Sequence, residues 1–328
     1  MELILTTAGS YPRIGDAPEL QRHRQAYAQR ERGEIGEEGF RKAEDEATAE
    51  AIREQIEAGI DLVTDGQIRW YDPYSHLARG LEGIEINGLL RLFDTNCYFR
   101  QPVVKGRVRR KGPILLREYE FARSVSSRPV KPVLTGPYTL ARGSILGGGY
   151  GSVRALASAY AEVLAEEVSD LSRAGAPLIQ LDEPAILHHP EDLNLLEEAL
   201  VVLARARGAA RLALHTSFGD VAPLYRDFQA LPVDVLGLDF TYSPKLPTVI
   251  AEAGSQKVLA LGVIDARNTK LETAERVFPI LDTVLPALKA SQAYLTPSCG
   301  LEYLPRDRAR QKLETLKRLR DEYLGGRS

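Results

Sequence analysis

The chain has 328 residues, 44% of them hydrophobic and 27% charged, with a formal net charge of -3. That composition is ordinary for a globular protein with a large core, and basic residues dispersed among nearly as many acids argue against a nucleic-acid partner. Two cysteines cannot build a disulfide framework, Met1 to Leu5 lacks the basic region and apolar length of a secretion signal, and no stretch approaches the roughly 18 apolar residues of a membrane span; a cytoplasmic protein with no membrane partner is expected.

Leu3 to Thr7 reads as a short strand, broken by turn chemistry at Ala8-Gly9-Ser10-Tyr11-Pro12. Ala17 to Arg32 is polar and basic. Glu38 to Ala58 has apolar residues at three-to-four spacing among alternating charges, which predicts a helix closing at Gly59. Asp61 to Asp65 predicts a second strand, followed by Gly66 and Gln67. Gly80 to Gly112 is rich in β-formers and turns and reads as a two-stranded excursion, with Lys105, Arg107, Arg109, Arg110 and Lys111 at a solvated or anion-binding tip. A helix from Ile114 to Ser126 leads to a third strand, Val133 to Thr135.

From there the alternation is regular. Predicted helices over 153–174, 191–207, 221–231, 246–253 and 272–288 separate predicted strands at 178–182, 211–215, 235–239, 258–262 and 293–299, and a last helix covers 308–324. Eight short apolar strands with helices between them are the pattern of a (β/α)8 TIM barrel, here with a β-hairpin excursion between strands 2 and 3. With no repeat, linker or low-complexity tract, residues 1–328 are expected to form a single domain.

Polar residues fall where the strands end: Ser10, Gln67, Asp182 with Glu183, His215 with Ser217, Asp239 and Cys299. Active sites of this fold gather at the C-terminal strand ends. Imidazole, carboxylate and thiolate are zinc ligand types, so His215, Asp239 and Cys299 are a candidate metal set. Each has an ordinary alternative: a core histidine, a rim carboxylate paired with Arg267, and a turn residue. Asp182 could equally cap a loop before Pro184.

Four segments resemble the zinc-bearing barrel of cobalamin-independent methionine synthase: Thr6 to Pro12, Arg128 to Pro137, Ile179 to Ala185 and Pro297 to Leu301. Three others, Phe93 to Asn96, Leu231 to Asp234 and Gly262 to Asn268, resemble that family's metal-free barrel. The resemblance implies that Gly9, Ser10, Asp182 and Gln67, which stands where the family has Glu, hold the amino-acid end of homocysteine or a related small thiol. It also implies a zinc site of His215, Asp239 and Cys299, with Ser217 at the position of a family cysteine ligand. A neutral hydroxyl is a poor zinc ligand, so affinity should fall. Two functions are therefore expected: a single-barrel methyltransferase acting on a small thiol, or a metal-free barrel subunit that partners a separate zinc-bearing barrel. The methyl donor, or a methyl-carrier protein in its place, is not named by these residues.

Overall fold

The computed structural model describes residues 1–326. Strand β1 (Glu2–Leu5) opens a parallel sheet, the hairpin β2 (Leu81–Arg91) and β3 (Tyr98–Arg110) leaves it, and β4 (Val133–Thr135), β5 (Leu178–Asp182), β6 (Arg211–Thr216), β7 (Val235–Asp239), β8 (Val258–Ile264) and β9 (Gln292–Pro297) complete it. The sheet order is β1-β9-β8-β7-β6-β5-β4. Between β1 and β4 the ring is closed by the segment around Leu62 and Val63, which forms single parallel bridges, Thr6 with Leu62 and Val63 with Val130. The Leu62 N–H donates to the Leu5 carbonyl at 3.0 Å and the Lys131 N–H to the Val63 carbonyl at 2.9 Å. The predicted second strand is thus a minimal one, and the closed ring is a TIM barrel.

Strands β4 to β9 read as continuous apolar runs because both their faces are covered, the lumen on one side and helices on the other. The helix Val153–Arg173 shows how the outer layer is made. Ser152 accepts from the Ala155 N–H at its start, and Leu156, Tyr160, Leu164, Val168 and Leu171 form one buried face. Burying each such side chain contributes roughly 1.5–3 kcal/mol. Among the described residues no helix is long and apolar enough to cross a membrane.

Three readings of the sequence change. The helix Arg22–Glu31 was not legible, because only Ala26 in it is buried and no apolar stripe forms. The helix expected over 221–231 shrinks to the short turns Ala222–Leu224 and Tyr225–Phe228. The basic residues do not sit at the hairpin tip. β3 continues to Arg110, so they line its descending half, and the Arg110 side chain is buried against Glu167 at 2.7 Å and against Asp170. The tip is residues 92–97, where the Thr95 hydroxyl donates to the Leu92 carbonyl and accepts from the Cys97 N–H.

Candidate active site

A cavity opens at the C-terminal strand ends and is lined by Ser10, Gln67, Asp182, His215, Ser217 and Cys299. Six of the eight residues singled out in the sequence therefore share one space. Gly9 lies directly behind Gln67: its φ is +150°, and a β-carbon there would stand 3.2 Å from the Gln67 side-chain oxygen. Asp239 is not part of the lining.

One end of the cavity is a connected polar network. Gln67 sits at φ +49°, a left-handed conformation uncommon for a residue with a side chain, and its N–H is held by Asp65 at 2.9 Å. The Asp-Glu-Pro run divides its labour. Glu183 turns away and accepts the Tyr138 and Thr139 N–H groups at 3.0 and 2.6 Å, the free donors at the start of the helix Pro137–Gly143. Asp182 faces the cavity with its side chain 30% exposed, and the Gln180 amide donates to it at 2.7 Å. Burial pushes the Asp182 carboxyl up to about 7, against the opposing pull of Gln180 and Lys131. Lys131 is itself brought down to about 7 by burial, opposed by Asp182.

The other end is less finished. Register places His215 beside Asp182 on β5 and Gly237 on β7. A β-carbon on Gly237 would meet His215 Cδ2 at 2.5 Å, so only glycine lets the ring lie there. Burial, reinforced by Lys131, lowers His215 to about 3 and keeps the imidazole neutral. Its Nδ1 is 3.8 Å from Asp182, too far for a hydrogen bond, and its Nε2 is buried without a partner. The Cys299 thiol is pushed well up by burial and then by Asp239, which keeps it protonated.

Zinc was expected at His215, Asp239 and Cys299. Among the described residues no three His, Cys, Asp or Glu side chains form a group able to hold a metal ion. Asp239 is committed elsewhere: one oxygen accepts from the Thr241 N–H and hydroxyl and from the Tyr242 N–H, and the other stands 3.8 Å from Arg267 Nη1. A guanidinium beside a would-be ligand supplies the positive charge that a metal would bring, and Ser217 offers only a neutral oxygen. As placed, these donors do not fit zinc. The pairing of Asp239 with Arg267, the ordinary alternative, is the arrangement present.

Sequence reasoning missed the walls. Tyr74, Phe93, Phe218, Glu302 and Tyr303 also line the cavity. Phe93, from the hairpin tip, stacks between Phe218 and His188 with ring centroids 5.4 and 5.1 Å away, and Tyr303 meets Phe218 edge-on. The Tyr242 hydroxyl donates to Asp94 and ties the tip across the barrel mouth. Burial raises the Glu302 carboxyl, with Arg13 opposing. Cys97 lies on the tip, its thiol raised first by burial and then by Glu302. The signals were faint: Phe218 and Tyr303 come after Ser217 and Cys299 by one and four positions, and nothing in sequence carries Phe93 to them.

With this geometry in view, the comparisons with known proteins are specific. The model of the cobalamin-independent synthase catalytic domain matches residues 3–320. A methionine synthase of Sulfolobus acidocaldarius is 32% identical over 309 residues, 94% of this chain and 88% of its own, and one of Sulfurisphaera tokodaii is 33% identical over the same shares. Among solved structures, a B12-independent methionine synthase from Shewanella sp. W3-18-1 in complex with selenomethionine superposes with a TM-score of 0.81 at 24% identity, covering 99% of this chain and 100% of the other. A putative vitamin-B12 independent methionine synthase from Listeria monocytogenes does so at 0.76 and 17%, covering 98% and 99%. The match along almost the whole chain, on the barrel that carries this cavity, means that the protein belongs to the cobalamin-independent synthase family of enzymes.

Proposed function

We propose that the protein is an S-methyltransferase that transfers a methyl group to the thiol of homocysteine and so forms methionine. The observation that carries this reading is the shared cavity in which an amino-acid grip, Ser10, Gln67 and Asp182, faces a sulfur-compatible end, His215 and Cys299. Asp182 accepts from the substrate ammonium, Ser10 donates to its carboxylate, and the Gln67 amide offers both a donor and an acceptor. An extended amino acid held this way directs its thiol toward His215. A neutral imidazole with an unpartnered nitrogen serves as a hydrogen-bond partner for sulfur. As the sulfur lone pair forms the new bond to carbon, the bond between the methyl group and the donor breaks, and the donor's leaving atom keeps that electron pair and takes up the thiol proton.

The aromatic walls favour the same reading. Phe93, Phe218 and Tyr303 cover the sulfur end and exclude water from the transferring group. No step here is routed through zinc, because the three expected donors are not arranged as a ligand group. Methyl donors, free or on a carrier protein, enter from the mouth above the hairpin tip, and the reading needs no second barrel subunit.

Calorimetric titration with homocysteine tests the grip. Asp182→Ala should weaken binding by about 1.5–3 kcal/mol, the range for hydrogen bonds to charged groups. Unchanged affinity would remove Asp182 from the site, and methylation of homocysteine by the isolated chain would set aside a purely docking role.

A further inference from the structure

Lys131 is 3% exposed and lies inside the barrel below the cavity, in a lumen space it shares with Thr6, Gln180, His215 and Thr296. A lysine is almost never this buried unless something pairs with its charge. No carboxylate among the described residues touches it. Its Nζ donates to Gln180 Oε1 at 2.5 Å, and the Gln180 amide nitrogen donates in turn to Asp182 Oδ1 at 2.7 Å and to the Ala8 carbonyl at 2.5 Å. We propose that Lys131 is a positioning residue for the amino group of the substrate, acting through Gln180 on both arms of the amino-acid grip. The proposal rests on the reading of Asp182 as the acceptor for the ammonium.

The hydrogen-bond chemistry allows one arrangement. The Ala8 carbonyl is an acceptor only, so it must face the amide nitrogen, and the amide oxygen is then turned to Lys131, which carries N–H donors whether charged or neutral. The amide orientation is therefore set by these neighbours. Gln180 consequently links the carboxylate that receives the ammonium with the backbone immediately before Gly9 and Ser10, where the substrate carboxylate is received. Lys131 holds that link from behind. Removing it leaves the Gln180 oxygen buried with no donor, and the amide then has reason to turn or shift, carrying Asp182 and the Ala8 turn with it.

The experiment compares binding of homocysteine with binding of 4-mercaptobutanoate, the same thiol acid without its amino group, by calorimetry on the full chain. In the unaltered protein homocysteine should bind more tightly. Lys131→Met should reduce that preference by about tenfold, because homocysteine loses both arms of the grip whereas 4-mercaptobutanoate loses only the carboxylate arm and should weaken less. Gln180→Glu, which still accepts from Lys131 but presents no donor to Asp182 or Ala8, should do the same, and it serves where Lys131→Met does not fold. Equal weakening of both thiols would mean that Lys131 only fills the lumen, and an unchanged preference in both variants would likewise overturn the proposal. Asp182→Ala separates the two levels. If it abolishes the preference while Lys131→Met and Gln180→Glu keep it, only the positioning role falls. If Asp182→Ala itself keeps the preference, the underlying reading of Asp182 falls.

Discussion

The two ends of the cavity are built to different standards. At the amino-acid end, Asp182, Gln180, Lys131 and the Ala8 carbonyl form an unbroken run of donors and acceptors. At the sulfur end, His215 Nε2 is buried without a hydrogen-bond partner, and outside the cavity lining Asp239 Oδ2 and Arg267 Nη1, 3.8 Å apart, make no hydrogen bond either. Buried polar atoms usually find partners, so the linked end is held before any substrate arrives, whereas the His215 nitrogen is left for a partner that the chain does not supply. Recognition is thus prepaid in structure, and the reacting end is left able to respond.

The contrast is most exposed to a change at Gly237. If the His215 ring is confined by β7, Gly237→Ala should lower stability by about 1–3 kcal/mol, the usual cost of overpacking, read as a fall in the thermal midpoint. A midpoint that does not move would show that the sulfur end has slack enough to accept a methyl group. A second test addresses the prepared end through pH. With Asp182 at about 7 in the free protein, a substrate ammonium that requires the carboxylate must expel a proton below that value. Homocysteine affinity should therefore fall by about fivefold from pH 7 to pH 6 and by about tenfold for each pH unit below that, level off above about pH 8 until the substrate's own groups titrate, and lose the slope in Asp182→Asn. A slope that survives that substitution belongs to another group. The smallest effect is expected at Ser217. Elemental analysis of zinc-exposed, desalted protein should find well under one zinc per chain, and Ser217→Cys, by adding a second thiolate near His215, should raise the content. One zinc per chain in the unaltered protein, lost with His215→Ala, would mean that the three expected donors do assemble.

Much of this was legible from residue order alone, for a physical reason. Barrel strands buried on both faces must be apolar throughout and short, so Val235 to Asp239 announces its own ends. The fold's geometry then brings the residues at the C-terminal end of each strand to one rim, which is how Ser10, Asp182, His215 and Cys299 could be grouped without a contact in hand. Local patterning fails where a residue's place is decided by something distant. Arg110 looks like a solvated tip residue until Glu167, far along the chain, buries it. Phe93 acquires its meaning only from Phe218 and His188. Lys131, next to a proline at a strand's edge, gives no sign that its side chain runs into the lumen. Asp239 was placed at the rim correctly, but its hydrogen bonds to Thr241 and Tyr242 depend on a loop conformation that strand periodicity does not encode.

The tip of the hairpin gives the cavity a ceiling held more lightly than the strands beneath it. The body of β3 is bridged to Ile145 through Val103 and buries Val104 and Val108 in the core, whereas the tip is fastened over the mouth chiefly by the Phe93 stack and the Tyr242 to Asp94 hydrogen bond. Releasing those few contacts frees the ceiling while the floor, with Asp182, Gln180 and Lys131, keeps every bond it has. A structure with such unequal fastenings opens locally at a fraction of the free energy of global unfolding. Access to the reacting sulfur can therefore be renewed in each catalytic cycle, and the alignment of the amino acid beneath it need never be rebuilt.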